Sequence, residues 1–360
     1  MSRKGNIRWV SPVGDRAHRG GGVARAVGVL KDAKLVDGEY LSLFDLSFFD
    51  QLRQALVDVY RDRYRGFVVH SFLSPYTLVL FLIPKKLQMV VLPHGELKQG
   101  ALSIKNIKKN AVIFLIRCLC KLSTKKNITI AATNLEEIDL ASSFLGQCES
   151  FLVPDLVSKN LLLADRCKIK KTSGLNIVNI ARMTKDKGIG DFLDLVSAHY
   201  SKKNQVKWLN EVDSITIFYI EEDLIEFSRV HRLACSIEAM SSIKIDLYKE
   251  FNDTDMKGVL SSIPNKLPFI TSRFESFSYA LIEQLNFEYK PIVWFDNELV
   301  SDLVKRGACV NLNYGSLTTS EGSVPVHESV NGQAELFLDA SEAFCLKEYK
   351  KIFELGLDGS

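Results

Sequence analysis

Short runs of β-branched and aromatic residues alternate along the chain with longer segments whose apolar positions recur at helical spacing. Strands are predicted at Asn6–Val10, Tyr40–Phe44, Gly66–His70, Gln88–Leu92, Ile128–Ala132 and Ser150–Val153. Between them the helical period predicts helices near 23–33, 47–62, 74–83, 102–122 and 134–145. The pattern restarts after a polar stretch rich in Lys and Asp, Ser158–Gly174. Further strands are predicted at Leu175–Ile180, Ser214–Ile220, Ile243–Tyr248, Leu267–Thr271, Pro291–Trp294 and Ala308–Leu312, with helices at 188–200, 222–239, 253–262, 277–287 and 297–305. Strand–helix alternation of this kind predicts parallel sheets covered on both faces. The expected architecture is therefore α/β, with two doubly wound Rossmann-like domains at 1–157 and 174–332 and a hinge near 155–174. A last segment, 333–360, carries a helical pattern at 333–355 and is expected to cross back onto the first domain.

Length and composition agree with that reading. A chain of 360 residues suits two domains better than one core, and 46% apolar with 25% charged residues is the balance of a globular protein. Met1–Pro12 lacks the apolar run of a signal peptide, and the longest apolar run, Leu78–Ile83, stops at Pro84, far short of a membrane span. A cytoplasmic protein is expected. The seven cysteines show no C-x-x-C spacing, so they are expected to be reduced, buried packing residues rather than metal ligands.

Charge changes the picture. Residues 1–126 hold 22 Lys and Arg against 9 Asp and Glu, leaving 24 against 34 in the remainder. A basic half suggests an anionic partner for the first domain. The basic residues concentrate in 103–126 (Lys105, Lys108, Lys109, Arg117, Lys121, Lys125 and Lys126, with no acid among them), around the apolar run Ala111–Ile116. Such a segment reads either as a helix with one solvated basic face or as a helix lying on an anionic membrane surface. No reader motif or aromatic platform accompanies the charge, so nucleic acid is not the expected partner.

Three places could carry chemistry. Gly20-Gly21-Gly22 follows the first strand and opens the first helix, where glycines let backbone N–H groups approach an anion; a plain strand–helix turn is the alternative. Asn179–Gly188 follows the first strand of the second domain and presents Arg182 and Lys187 where open α/β sheets bind ligands. Cations there would stabilise a departing diphosphate more in the transition state than in the ground state. Thr271–Glu283 again follows a strand, and its two glutamates, Glu275 and Glu283, fall about two turns apart on nearly one face if both are helical. Asp253-Thr254-Asp255 spells the D-x-D of metal-dependent transferases, but it precedes a helical pattern and is better read as capping. The six histidines show no metal-ligand spacing.

Arg182-x4-Lys187 after a strand, about ninety residues before Glu275-x7-Glu283, resembles the donor half of the family-4 (group 1) retaining glycosyltransferases of the GT-B fold. Pro93-His94-Gly95-Glu96-Leu97-Lys98-Gln99-Gly100-Ala101-Leu102 is similar to a P-[RH]-G-x-L-x-x-G-A-L segment of many bacterial members, and Thr133–Glu137 resembles their T-x-x-E helix start. The resemblance implies two facing Rossmann-like domains with a cleft between them, a nucleotide-sugar donor, retention of configuration, and no metal or other cofactor. It implies that Arg182 and Lys187 hold the donor diphosphate with Gly21 and Gly22, that Glu275 contacts the donor sugar, that Glu283 contacts the ribose, and that His94 sits near the reacting carbon. Ser276, Ser278, Gln284, Tyr289-Lys290-Pro291 and Asp155 depart from the family pattern and bear on donor identity. The acceptor implied is a glycan or lipid-linked saccharide of bacterial surface polysaccharide (O-antigen or capsule) assembly, met by a protein peripheral on the inner membrane face. A nucleotide-sugar 2-epimerase and a non-catalytic glycan- or nucleotide-binding partner are the alternatives.

Overall fold

The computed structural model describes residues 6–12, 22–33, 38–61, 64–82, 88–97, 114, 127–145, 148–156, 163, 174–203, 206–249, 253–273, 278–295, 298–312 and 333–358. The chain divides into two compact units, Met1–Val157 with Ala340–Ser360, and Ser158–Asp339.

Unit 1 is a six-stranded parallel sheet. Its strands are β1 (Asn6–Ser11), β2 (Gly38–Ser42), β3 (Tyr64–Val69), β4 (Gln88–Val91), β5 (Asn127–Ala132) and β6 (Glu149–Leu152), in the order β2-β1-β3-β4-β5-β6. Its helices are α1 (Gly22–Asp32), α2 (Phe48–Tyr60), α3 (Pro75–Leu82) and α4 (Leu135–Leu145). Both sheet faces are buried, which is why the strands read as continuous apolar runs. Phe67, Val69, Met89, Val91, Ile130 and Ala132 point to one face with Ala55, Tyr76, Phe81 and Phe144 of the helices. Val68, Val90 and Ala131, their alternate neighbours, point to the other. That second face is closed by the C-terminal helix α10 (Gln333–Asp358), whose Tyr349, Ile352, Phe353 and Leu357 pack with Trp9, Leu30 and Leu156.

Unit 2 is a second parallel sheet, β12-β11-β10-β7-β8-β9. Its strands are β7 (Leu175–Met183), β8 (Val212–Glu221), β9 (Lys244–Lys249), β10 (Lys266–Ile270), β11 (Ile292–Val293) and β12 (Val310–Asn311). Its helices are α5 (Ile189–Tyr200), α6 (Leu224–Met240), α7 (Asp253–Ser262), α8 (Tyr279–Glu283) and α9 (Glu298–Lys305). Ile177, Ile215, Ile217 and Phe269 pack against Phe192, Leu193, Val196 and Val230 of α5 and α6 on one face, while Val178, Ile180 and Phe218 meet Met256, Leu260 and Phe287 on the other.

Two sequence expectations need correction. β7 runs to Met183 rather than Ile180, because Arg182 and Met183 keep pairing with Ile220 and Glu221 of β8. The helix expected over 277–287 is five residues long; after Glu283 the backbone continues through i→i+3 bonds such as Gln284 N–H to Leu281 O and Phe287 N–H to Gln284 O. The helix expected over 253–262 forms with those bounds, and the Asp-Thr-Asp lies at its start. Of the described cysteines, Cys309 and Cys345 are buried, and burial pushes both thiols up to about 12, but Cys235 is exposed and Cys148 half-buried. The basic segment 103–126 lies outside the described residues apart from Phe114. Among the described residues no helix is long and apolar enough to cross a membrane.

One buried ion pair ties the chain after α8 to the start of β10. Lys266 Nζ donates to Glu288 Oε1 at 2.9 Å, and the Lys266 backbone N–H donates to Glu288 Oε2 at 3.0 Å. Lys266→Met should cost about 3–5 kcal/mol in chemical denaturation, since it leaves a buried carboxylate without its cation. The double variant Lys266→Met with Glu288→Gln should recover most of that loss; no recovery would mean that the pair's charge is not what the site depends on.

Candidate functional site

In each sheet the strand order reverses direction at one place, and that is where open α/β sheets leave a crevice beyond their carboxyl ends. In unit 2 the reversal falls between β7 and β10. Their ladder stops at Val178 and Pro268; beyond it β7 follows β8, and β10 follows β11 from Phe269. Asn179 is buried where the two strands part, and its amide donates to Phe269 O at 2.6 Å and to Thr271 Oγ1 at 3.1 Å.

The two loops leaving this point are stitched together. Thr271 Oγ1 donates to Lys187 O at 2.6 Å, and the Arg273 N–H donates to Asp186 O at 2.8 Å. Gly188 ends the short 3-10 turn Lys185–Lys187 in the left-handed region, with φ of 67°. A Cβ there would lie 2.2 Å from Thr271 O, so only glycine allows this closeness. α5 begins at the next residue with no side-chain cap bond. Its dipole therefore puts partial positive charge beside the crevice. Lys187 has a buried stem, with Nζ 4.0 Å from Asp186, whereas Arg182 is about 42% exposed and paired with Glu222 at 3.0 Å. A surface pair of that kind is worth about 0–1 kcal/mol, so a diphosphate can replace Glu222 at little cost.

The second loop is braced from outside. Arg273 forms an ion pair with Asp191 in the first turn of α5, and Arg229 of α6 pairs with Asp191 at 3.0 Å as well as with Asp194. Burial works against the Asp191 charge, but bonds from Arg273 and Arg229 outweigh it and hold the carboxyl below its usual range. Glu283, the last residue of α8, is buried, and its carbonyl accepts from the Leu163 N–H at 2.9 Å. Glu275 lies outside the described residues. α8 is five residues long and starts at Tyr279, and the face inferred for Glu275 with Glu283 lies outside the described residues.

In unit 1 the reversal falls between β1 and β3. Gly22 opens α1 after β1, and Gly21 lies outside the described residues. His70 follows β3 directly, and its backbone N–H donates to Val10 O at 2.8 Å. His94 adopts φ of 49° and Gly95 φ of 89°, a turn held from several sides. Asp155 Oδ1 accepts from His94 Nδ1 at 2.8 Å, and His94 Nε2 lies 3.0 Å from His70 Nδ1. Glu137 accepts the Gly95 N–H at 2.5 Å and the Thr133 N–H at 3.0 Å, while Asn134 Oδ1 caps α4 through the Glu137 N–H at 3.0 Å. Glu96 accepts from Ser71 Oγ at 2.7 Å and from the Phe72 N–H at 2.6 Å.

Burial opposes charge on His94, but Asp155, with Glu137 and Glu96 behind it, outweighs burial and raises its pKa. Burial, reinforced by His94, holds His70 well below the usual histidine range. Burial raises both Glu96 and Glu137 against the pull of their hydrogen bonds. The His94 ring is buried and both its nitrogens are engaged inside unit 1, so His70 is the histidine of this group with a ring nitrogen to spare. Sequence reasoning passed over Asn179, Thr271, Arg273 and Asp191; only Thr271 carried a local signal, as the last residue of a predicted strand. Among the described residues no cluster of three or more His, Cys, Asp or Glu is arranged to hold a metal ion.

No family model matches the sequence, and no curated protein is found to match it. Solved structures do match over nearly the full length. A sucrose-phosphate synthase from Thermosynechococcus elongatus aligns with a TM-score of 0.70 at 12% identity, covering 99% of this chain and 100% of that one. An α,α-trehalose-phosphate synthase (UDP-forming) from Burkholderia vietnamiensis gives 0.65 at 10% identity, covering 99% of each chain. A trehalose-6-phosphate structure from E. coli, bound with UDP-2-fluoro glucose, gives 0.61 at 11% identity, covering 98% of this chain and 99% of that one. At such low identity the likeness speaks for the fold, and with two six-stranded parallel sheets flanked by helices the chain has the GT-B fold.

Proposed function

We propose that the chain is a retaining glycosyltransferase that moves a sugar from a nucleoside-diphosphate donor to a hydroxyl acceptor without a metal ion. The observation that supports this reading is the joined pair of loops at the β7–β10 crossing, where Arg182, Lys187 and the start of α5, which has no side-chain cap bond, follow one another at the carboxyl end of the sheet. As the anomeric bond breaks, negative charge grows on the diphosphate oxygens, and preorganised cations lower that barrier without moving. Arg182 offers a planar fork to two oxygens, and Lys187 a compact charge whose buried stem limits its reach. In front-face substitution the acceptor oxygen bonds to the anomeric carbon as the bond to the diphosphate breaks. The acceptor's proton passes to the departing phosphate oxygen.

Glu283 is assigned to the nucleotide ribose, Glu275 to the donor sugar, Gly21 and Gly22 to the donor diphosphate beside Arg182 and Lys187, and His94 to a place near the reacting carbon. The acceptor proposed is a glycan or lipid-linked saccharide, in keeping with the basic segment 103–126 and a membrane-proximal place of work in surface polysaccharide assembly. The structural neighbours are by name synthases of sugar phosphates, so sugar-phosphate acceptors belong in the same test.

The test is turnover of UDP-glucose, GDP-mannose and ADP-glucose in EDTA, with sugar-phosphate and lipid-linked acceptors in parallel. One donor should release its nucleoside diphosphate, and Arg182→Ala should lower kcat/KM by about 10–100-fold, the loss of a charged hydrogen bond or two. Activity that disappears in EDTA and returns with magnesium would refute the metal-free reading, and full activity in Arg182→Ala would refute the assigned site.

A further inference from the structure

Asp155, His94 and His70 form a buried row whose proton positions are fixed from the Asp155 end. An ionised carboxylate only accepts, so His94 carries a proton on Nδ1. When His94 is neutral, its Nε2 is a bare lone pair. The 3.0 Å contact then needs the proton of His70 on Nδ1, which leaves His70 Nε2 bare. When His94 is charged, its Nε2–H donates to His70 Nδ1. The single proton of a neutral His70 must then sit on Nε2. Loss of one proton from the pair takes it off His70 Nε2, as the His94 Nε2 proton crosses to His70 Nδ1.

We propose that Asp155 and His94 set the tautomer of His70, and that His70 Nε2 is a substrate-binding atom, donating to a substrate oxygen while His94 is charged and accepting once His94 is neutral. His70 is 1% exposed, and its Nε2 is buried with no hydrogen-bond partner among the described residues. A buried polar atom left in that state is costly, and a ligand at the site would satisfy it. The ring is held in place by Trp9 at 5.5 Å and 23° and by His94, whose ring lies nearly coplanar with it at 6° and 5.3 Å, the edge-to-edge placement that the 3.0 Å contact requires. It also stands where β3 and β1 reach their carboxyl ends, at the unit 1 crossing.

The groups around the row favour this proton arrangement. Asp155, Glu137 of α4 and Glu96 of the turn face His94 and favour its charged form, against burial. From α10, Cys345 and Tyr349 lie near Asp155; burial raises both, so they stay neutral and do not compete for its charge. Burial and the neighbouring His94 keep His70 neutral. Two adjacent rings therefore share one extra proton, and its gain or loss reverses what Nε2 offers. The substrate-binding half of this proposal rests on the transferase reading above; the tautomer half does not.

Long-range proton–nitrogen NMR of the full chain labelled with 15N-histidine tests the tautomer directly, with His70→Gln and His94→Gln spectra as assignments. The expected result is that His70 Nε2 passes from protonated to bare in step with the titration of His94. A His70 that keeps one tautomer throughout, or that itself becomes charged, would overturn the relay. For binding, KM is measured with whichever donor and acceptor of the panel turn over. His70→Phe should raise one KM by about 10-fold, and His70→Gln, which retains an N–H donor, should stay within about 3-fold of the wild type. Equal losses in both variants would overturn the binding role. The spectra need no turnover, so a failed relay and a failed transferase assignment are separate results.

Discussion

Lys187→Met is expected to lower kcat by about 10²–10³-fold, the usual effect of deleting one preorganised charge from a site where negative charge develops. Methionine keeps an unbranched stem, so packing around the buried part of the side chain is largely retained. The ammonium is what disappears. Because the charge on the departing diphosphate exceeds that of the bound donor, kcat should fall more than donor affinity does. Steady-state kinetics with a folded, monodisperse variant decides the matter. A variant that binds donor weakly but turns over normally at saturation would place Lys187 in ground-state binding alone. The exposed Arg182 is expected to have the smaller effect, since water and Glu222 already screen it.

Gly188→Ala should be the most damaging small substitution in unit 2. At φ of 67° any L-residue is strained by about 1–2 kcal/mol. The new methyl would also meet a backbone oxygen, Thr271 O, at 2.2 Å. That oxygen belongs to the strand end and cannot swing aside as a flexible side chain would. With roughly 1–3 kcal/mol more for overpacking, the expected loss is about 2–5 kcal/mol by urea denaturation. The Thr271 hydroxyl bond to Lys187 O should break, separating the two loops and removing nucleotide binding along with the stability. A Gly188→Ala protein with wild-type stability and donor affinity would mean that the loops are not held in the way described.

Much of the fold was legible because parallel strands buried on both faces appear as unbroken apolar runs. Phe67–Val69 and Met89–Leu92 could hardly be anything but interior strands. The ends were less legible. Nothing local marks Ala181-Arg182-Met183 as strand; pairing with β8 holds it there. α8 is short for a similar reason: Leu281, Ile282 and Leu285 keep a helical apolar spacing, yet Glu288 is drawn to Lys266, 22 positions away. Sequence patterning brings out Arg182, Lys187 and His94 as candidates because each lies just past a predicted strand end. Their supports were not legible. Asn179 to Phe269, Thr271 to Lys187, and the His70–His94–Asp155 row join residues 24 to 90 positions apart, and single-sequence periodicity carries no such pairing. His70 shows the difference well: as the end of a strand it looked ordinary, and only the Trp9 ring beside it and its contact with His94 give it a role.

Titration calorimetry of UDP, GDP and ADP against the full chain in EDTA tests most directly whether the β7–β10 crossing holds a diphosphate. One nucleoside diphosphate should bind without any divalent ion, and Lys187→Met should weaken it by at least about 10-fold, or 1.4 kcal/mol. Binding that requires magnesium, or that is unchanged in Lys187→Met, would contradict the account.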